Sequence, residues 1–128
     1  MKEQTVAAHN ERLEILENAL IESALEGWRF ARVFGRLVTK LDAGEATRYA
    51  GQLRYYAQRL EDSLGTAGLS LVNLEGQPYD PGMAATALNV ADFGADDRLV
   101  VHQMVEPVIM GPEGLRRTGV VMLRKADA

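Results

Sequence analysis

Apolar residues recur every three or four positions through the first third of the chain, and no proline interrupts residues 6–41. This spacing is the period of one face of an α-helix, so it predicts a single long helix over residues 6–41. A helix of this length needs a neighbour to cover its apolar face, and we expect that neighbour to come from a second subunit. The predicted face consists of Leu13, Leu16, Leu20, Ala24, Trp28, Ala31, Phe34, Val38 and Leu41.

A second helix is predicted directly after the first. The Asp42 carboxylate can cap it by accepting a hydrogen bond from the amide near Glu45, and apolar residues then follow the helical period over residues 46–64. Gly65 and Gly68 are expected to end this helix in the left-handed conformation. Because so few residues join the two helices, they should run antiparallel. Two such hairpins from two subunits would form a four-helix bundle.

After the second helix the pattern changes to short apolar runs separated by Gly, Pro, Asn and Asp, which is typical of strands joined by turns. The segment 111–114 should form a hairpin turn, Pro107 suits a bulge or a sheet edge, and residues 125–128 should form a frayed tail. The predicted fold class is therefore α+β, with a helical dimerisation region over 1–66 and a small all-β domain over 67–128. The strand candidates are residues 69–72, 87–90, 99–105, 108–110 and 119–123.

Composition narrows the possible environment and partners of the chain. The net charge is −4 and the basic residues are scattered among acids, so no nucleic-acid partner is expected. The absence of cysteine excludes disulfides, a thiolate nucleophile and cysteine metal ligands, and it is compatible with a reducing cytosol. No apolar run approaches the ~20 residues that a membrane helix needs. We therefore expect a cytoplasmic protein with no membrane partner.

No group of residues in the sequence has the pattern of a catalytic, cofactor or metal site. His9 and His102 lack companions at metal-ligand spacing, and the serines are not flanked by a nucleophile elbow. Four aspartates could be drawn as an acidic cluster, but their neighbours favour turns and solvated loops. The glycines form no phosphate-binding sequence. A non-enzyme is predicted, and a small hydrolase is the disfavoured alternative because no nucleophile, base and orienting group occur together. The four aspartates are Asp80, Asp92, Asp96 and Asp97.

Three arginines form a basic line along the first helix. Arg29, Arg32 and Arg36 are three and four positions apart, so they share one helical side. One interpretation is a solvated face whose arginines pair with Glu22 and Glu26. The other is a docking stripe for an acidic partner, because arginine makes bidentate contacts with carboxylates.

The order of motifs in the last half of the chain resembles one family. The most specific elements are a Gly-x-Pro-aromatic-Asp-Pro turn and a terminal Leu-Arg-rich strand followed by a lysine. The sequence of motifs is Gly68, residues 69–72, Gly76-Gln77-Pro78-Tyr79-Asp80-Pro81, residues 99–104, the turn 111–114, and Arg116-Arg117-Thr118-Gly119-Val120-Val121-Met122-Leu123 with Lys125. In these motifs the chain resembles the GrpE family of nucleotide exchange factors. The resemblance covers residues 13–125, and in the helices it is limited to their general pattern.

The resemblance implies a homodimeric cochaperone of protein folding and the stress response, located in the cytoplasm. Its long helices would pair, lead into a four-helix bundle and carry one β wing domain on each subunit. The wing and the adjacent helix face would hold open the ATPase domain of a DnaK-type chaperone of the 70 kDa heat-shock class, so that ADP leaves. Such a factor binds no nucleotide and performs no bond chemistry. It acts because it prefers the open conformation of its partner.

The chain also departs from the family pattern. Ala84 and Ala85 stand where the family has His-Glu, Val108 and Ile109 replace Gly-Tyr, and the first helix is short for the family. The Pro-Ala pair after the arginine becomes Thr118-Gly119. These differences leave a second hypothesis open. The chain would then be an exchange-inactive, GrpE-like dimeric adaptor or scaffold that binds a specialised partner.

The resemblance also nominates the residues that would contact the partner. On the wing they lie after the aspartate-proline turn, before the hairpin and on the last strand. For Arg117 the alternative is a salt bridge that holds its own strand, and for Leu123 it is the core. The Tyr79-Asp80-Pro81 turn itself is expected to be structural. The nominated residues are Pro81, Met83, Val105, Glu106, Arg117 and Leu123 on the wing, with Arg32 and Arg36 on the helix.

Overall fold

The computed structural model describes residues 2–126, which divide into a helical unit ending at Ala67 and a β unit beginning at Gly68. The helical unit contains two antiparallel helices. The first, α1 (Lys2–Val38), is 37 residues long and the second, α2 (Ala43–Thr66), is 24 residues long. The predicted α+β class is therefore confirmed, with one long helix, a second helix and then β-structure.

Contacts between α1 and α2 lie in the C-terminal half of α1. The Phe34 ring meets the Tyr49 ring edge-on at 6.2 Å, and the Tyr56 hydroxyl lies over Gly27, in the space that a side chain there would take. Because α2 is 13 residues shorter than α1, it cannot flank the first turns of α1. The buried residues of α1 are Ile21, Ala24, Leu25 and Val38.

The prediction of one uniform apolar face on α1 was therefore partly wrong. Leu13 and Leu16 belong to the predicted face but are about half exposed, whereas Ile21 and Leu25 lie outside it and are buried. The spacing of apolar residues identifies the helix, but α1 runs over Lys2–Val38 rather than residues 6–41. Which residues are buried depends on where the neighbouring helix lies, and the spacing does not contain that information.

The predicted start of α2 is confirmed, and its predicted end is partly wrong. The Asp42 carboxylate accepts a hydrogen bond from the Glu45 amide at 3.0 Å, as an N-cap does. Gly65 lies inside the helix rather than at a left-handed end. The left-handed residue is Gly68, with φ of +76°, just after the helix cap at Ala67.

The β unit consists of two three-stranded sheets. In the first, β4 lies between β1 and β5 and all pairs are antiparallel. In the second, β6 lies between β2 and β3, parallel to β2 and antiparallel to β3. The strands are β1 (Ser70–Val72), β2 (Ala85–Ala87), β3 (Leu99–Glu106), β4 (Val108–Gly111), β5 (Gly114–Arg117) and β6 (Gly119–Lys125).

Most strand predictions match the structure, and the hairpin turn after Gly111 is confirmed because Gly111 pairs with Gly114. The prediction for residues 87–90 was wrong in position, since β2 runs over Ala85–Ala87 and Val90–Asp92 forms a 3₁₀ turn. The cause is a long-range contact. The Asn89 side chain donates to the Leu123 carbonyl at 2.9 Å and accepts from the Leu123 amide at 2.8 Å, and so replaces the backbone pairing.

The core of the β unit lies between paired strands. Val101 pairs with Leu123 and Met104 pairs with Val121, and all four side chains are buried. Two register shifts interrupt β3, one between Val101 and Gln103 and one between Met104 and Glu106. The buried Pro107 follows the second shift, in the link to β4, which agrees with the predicted bulge.

Close packing surrounds Gly119 at the start of β6. A Cβ atom at this position would lie 2.8 Å from the Val108 side chain and 3.1 Å from the Glu106 carbonyl oxygen. Only a residue without a side chain fits there, because one of the two obstacles is backbone. Gly119 therefore fixes how closely β6 approaches the end of β3 and the start of β4.

The expected frayed tail was wrong for its first two residues. Lys125 is the last residue of β6 and pairs with Leu99, and the Ala126 amide donates to the Arg98 carbonyl at 2.8 Å. The rest of that expected tail, residues 127–128, lies outside the described residues. No helix among residues 2–126 is both long and apolar enough to cross a membrane.

Candidate partner-binding site

The Gly-x-Pro-aromatic-Asp-Pro turn lies along the outer edge of β3. The Gly76 amide donates to the Val101 carbonyl at 2.8 Å, and the Tyr79 amide donates to the Leu99 carbonyl at 2.8 Å. The Asp80 carboxylate accepts from the Gly82 amide at 3.0 Å, which is a typical Asx turn. These bonds fix the backbone up to Pro81, and Asp80 has the structural role that its neighbours indicated.

Two of the nominated contact residues follow this turn. Pro81 is exposed and Met83 is half-buried. The Met83 amide donates to the Asp80 carbonyl at 2.9 Å, and the Ala85 amide donates to the Met83 carbonyl at 2.8 Å. The turn and the first residue of β2 therefore hold Met83 in place, with part of its side chain accessible.

The other nominated residues of the β unit occupy both sheets. Val105 and Glu106 end β3 and are half-buried, and Arg117 ends β5, is half-buried and pairs with Ile109. Leu123 is different, because it is only 3% exposed and pairs with Val101 in the core. Leu123 is therefore a core residue that offers a partner almost no surface, and we exclude it from the candidate contact residues.

The three arginines of α1 have different environments. Arg29 forms an ion pair with Glu26, as expected if the arginines lie on a solvated face and pair with nearby acids. The Arg32 guanidinium lies 4.9 Å from the centre of the Trp28 ring, within the range of a cation–π contact. Arg36 is exposed in the last turn of α1. A docking stripe on this helix would therefore consist of Arg32 and Arg36 rather than all three residues.

An apolar groove between the two helices was missed from the sequence. It has a volume of about 530 Å³, and Phe30, Phe34, Leu53 and Tyr56 line it. Phe30 is 68% exposed and stacks on Phe34 at 6.4 Å between ring centres. One residue could have indicated this groove from the sequence. Phe30 is a large aromatic residue, yet it lies off the predicted apolar face.

A second groove, within the β unit, was also missed. It has a volume of about 830 Å³ and lies between the Pro78–Pro81 turn and the segment from Val90 to Val100. Its walls meet only in the folded chain, so no local pattern indicates it. The feature of the sequence that could have indicated this groove is the set of four aspartates, because they lie on the two segments that form it.

Within residues 2–126, no three His, Asp or Glu side chains are grouped as metal ligands would be. Comparison of the chain with protein-family models, curated proteins and solved structures found no match. The function must therefore be inferred from the residues and their geometry.

Proposed function

We propose that this protein is a GrpE-like, homodimeric nucleotide exchange factor that promotes ADP release from a DnaK-type chaperone. One observation carries the proposal. A 37-residue helix and an antiparallel 24-residue helix precede a small β unit whose Gly-x-Pro-aromatic-Asp-Pro turn is bonded to the edge of β3. Both the order of elements and the position of this motif agree with the resemblance.

The proposed mechanism is a shift in the conformational equilibrium of the partner. The factor binds the open form of the chaperone ATPase domain more tightly than the closed form, and each tenfold preference contributes about 1.4 kcal/mol to opening. No residue of the factor touches ADP or transfers a proton. The contact residues that we propose are Arg32 and Arg36 in the helical unit, and Pro81, Met83, Val105, Glu106 and Arg117 in the β unit.

Dimerisation is supported by an exposed apolar seam on the first half of α1. Val6 and Leu13 are seven residues apart and Leu16 follows three residues later, which are a and d positions of a heptad repeat. All three side chains are more than half exposed. Leu20 continues the repeat at the next a position, and His9 occupies the d position between Val6 and Leu13. These five residues form what we call the α1 seam.

Charges beside the α1 seam favour a parallel arrangement of two copies. Arg12 precedes the a position of Leu13, and Glu17 follows the d position of Leu16. In a parallel, in-register pair these flanking positions face each other across the interface, so Arg12 of one copy would approach Glu17 of the second copy. An antiparallel pair would not bring these two positions together.

The orientation can be tested with a single thiol, because the chain contains no cysteine. Leu13→Cys should form a disulfide between identical residues on mild oxidation if the copies are parallel and in register. Ala8→Cys, which is exposed on the same helix but off the seam, is the matched control. Efficient cross-linking of the control, or none at Leu13→Cys, would contradict the parallel seam.

The aromatic groove of the helical unit supports a four-helix bundle. Phe30, Val33 and Leu37 continue along α1 as exposed apolar residues, and Tyr55 and Tyr56 are exposed on α2. A second hairpin placed against this face would cover these side chains. Burying one large apolar side chain is worth about 1.5–3 kcal/mol, so several such residues would stabilise a dimer strongly.

Exchange activity is tested by the release of fluorescent ADP from a DnaK-type chaperone of the same source. We expect the purified protein to accelerate release at catalytic concentrations, because a shifted equilibrium lowers nucleotide affinity. An unchanged release rate with an active, ADP-loaded chaperone would rule out exchange on that partner.

The contact surface is tested by charge reversal. Arg32→Glu, Arg36→Glu and Arg117→Glu should each weaken chaperone binding and leave the dimer intact, because the dimer is proposed to form through other residues. Arg59→Glu, at an exposed position on α2, is the matched control. If helicity falls together with binding, the arginines are structural and the docking assignment fails.

A second candidate, an exchange-inactive dimeric adaptor, is favoured by one observation. Ala84 and Ala85 stand where the family has His-Glu, and the chain uses this position to build β2. The Ala84 carbonyl accepts from the Gly119 amide at 2.9 Å, and Ala85 is buried. No polar side chain is available there for a partner. Binding to the chaperone without faster ADP release would favour this adaptor.

A further inference from the structure

One member of the α1 seam differs chemically from the other four. Val6, Leu13, Leu16 and Leu20 are apolar, whereas His9 carries an imidazole ring. His9 comes three residues after Val6 and four before Leu13, so it lies on the same helical stripe. A polar residue at one core position of a coiled coil lowers its stability, and can thereby control how the helices associate.

The surroundings of His9 in one copy leave its ring accessible and contain more positive than negative charge. His9 is exposed, and the shorter α2 cannot flank this part of α1. On α1 itself, Lys2 precedes His9 by one heptad and Arg12 follows it by one turn, so both cations lie beside the seam. Glu3 is the acid that flanks the seam at this level, because Glu11 lies on the opposite side of the helix.

A parallel pair of α1 helices would bring two copies of His9 together. Identical core positions face each other in a parallel, in-register coiled coil, so the two imidazole rings would meet at one level of the interface. The second copy contributes its own Lys2, Glu3 and Arg12 beside the same level. Neutral imidazoles can pack there. Protonated imidazoles would place two like charges in contact, and an interface that excludes water screens such charges poorly.

We propose that His9 makes the dimer sensitive to pH: two copies associate through the α1 seam when His9 is neutral and separate when it is protonated. This inference rests on the parallel dimer of the proposed function. Histidine is the side chain that gains a positive charge as the pH falls from about 8 to about 5. Because the separated copies bind more protons than the dimer, acid favours separation and the dimer is most stable at the upper end of this range.

Sedimentation over a range of protein concentrations, at about pH 7.5 and about pH 5.5, tests the proposal. We expect the dissociation constant of the dimer to rise by about 10- to 100-fold at the lower pH, because each dimer excludes up to two protons. A chelator is present throughout, so that facing imidazoles do not hold a metal ion. Circular dichroism at both pH values checks that the protein stays folded.

Variants of the two histidines assign the effect to a residue. His9→Leu makes every position of the seam apolar, so it should tighten the dimer at about pH 7.5 and remove most of the pH dependence. His9→Lys carries a charge at both pH values and should weaken the dimer at both. His102→Leu is the matched control, because His102 is exposed on β3 and is the one other histidine in the sequence. It should leave the pH dependence unchanged.

Three results would overturn the proposal: a wild-type dissociation constant that is equal at the two pH values, a pH dependence that His9→Leu retains, or an equal loss of pH dependence in His102→Leu. Failure of the dimer itself gives a different result. A wild-type protein that is monomeric at both pH values would remove the dimer and this inference together, whereas a dimer that is independent of pH would remove only the role of His9.

Discussion

The helical unit leaves many large apolar side chains exposed, whereas the β unit leaves few of its own exposed. Within residues 2–126, five apolar residues of the helical unit are buried and nine large ones are exposed. In the β unit eight are buried and three are exposed. The exposed residues are Val6, Leu13, Ile15, Leu16, Phe30, Val33, Leu37, Tyr55 and Tyr56 in the helical unit, and Leu88, Val90 and Leu115 in the β unit.

The difference follows from the geometry of the two kinds of structure. Two antiparallel helices bury only the stripe where they touch, and a longer helix extends past its shorter neighbour. A small pair of sheets can place alternate residues of several strands in one shared core. We therefore expect a single hairpin of helices to gain stability from a partner, and the β unit to close its core alone. The predictions below separate these two situations.

The largest expected effect is in the core of the β unit. Ile109→Ala should destabilise this unit by about 2–5 kcal/mol, because the side chain is fully buried and its removal leaves a cavity. Urea unfolding monitored by β-structure measures the change. Leu115→Ala, at a half-exposed position of the same sheet, should cost less than about 0.5 kcal/mol. Equal losses in the two variants would contradict the assigned core.

A comparable effect is expected in the α1 seam, but on assembly rather than folding. Leu16→Asp should raise the dimer dissociation constant by about 100-fold, because each dimer loses two apolar contacts worth about 1.5 kcal/mol each. Sedimentation over a range of protein concentrations measures this constant. Ala8→Asp adds the same charge to the same helix off the seam and should change it little. A wild-type protein that remains monomeric at micromolar concentration would disprove the dimer.

A smaller effect is expected at the start of α2. Asp42→Ala removes the hydrogen bond to the Glu45 amide and should destabilise the helical unit by about 1 kcal/mol. Asp42→Asn retains an acceptor at the same position and should restore most of this stability. Thermal unfolding monitored by helicity compares the two. If both variants lose stability equally, the charge and not the cap is the important feature.

The smallest expected effect is at the charges beside the α1 seam. Arg12→Glu should weaken the dimer by about 0.5 kcal/mol per pair, because the attraction between residue 12 of one copy and Glu17 of the second copy becomes a repulsion. The double variant with Glu17→Arg should recover the wild-type constant at low salt. An absence of recovery would leave the apolar seam in place but would remove the evidence that the helices are parallel.

Much of the local structure was predictable from short stretches of sequence. The spacing of apolar residues predicts the two helices. The Asp42 cap is predicted because its carboxylate comes three residues before a helix amide that needs an acceptor. The Gly-Pro-Glu-Gly sequence predicts the hairpin after Gly111. The candidate contact residues were nominated from the resemblance. Leu123 was then excluded because the structure buries it. Neither the aromatic groove nor the groove of the β unit was predicted.

The sequence by itself determined the elements whose cause lies within a few neighbouring residues: the helical period, the cap of α2 and the turns. Only the tertiary structure decided where β2 ends, because Asn89 bonds to Leu123, 34 residues away. It also decided which part of α1 is buried, because the length of α2 sets that boundary. It brought Pro78 and Phe93 to the same groove. Contacts between distant residues depend on how whole elements pack, and apolar spacing within one element does not specify that packing.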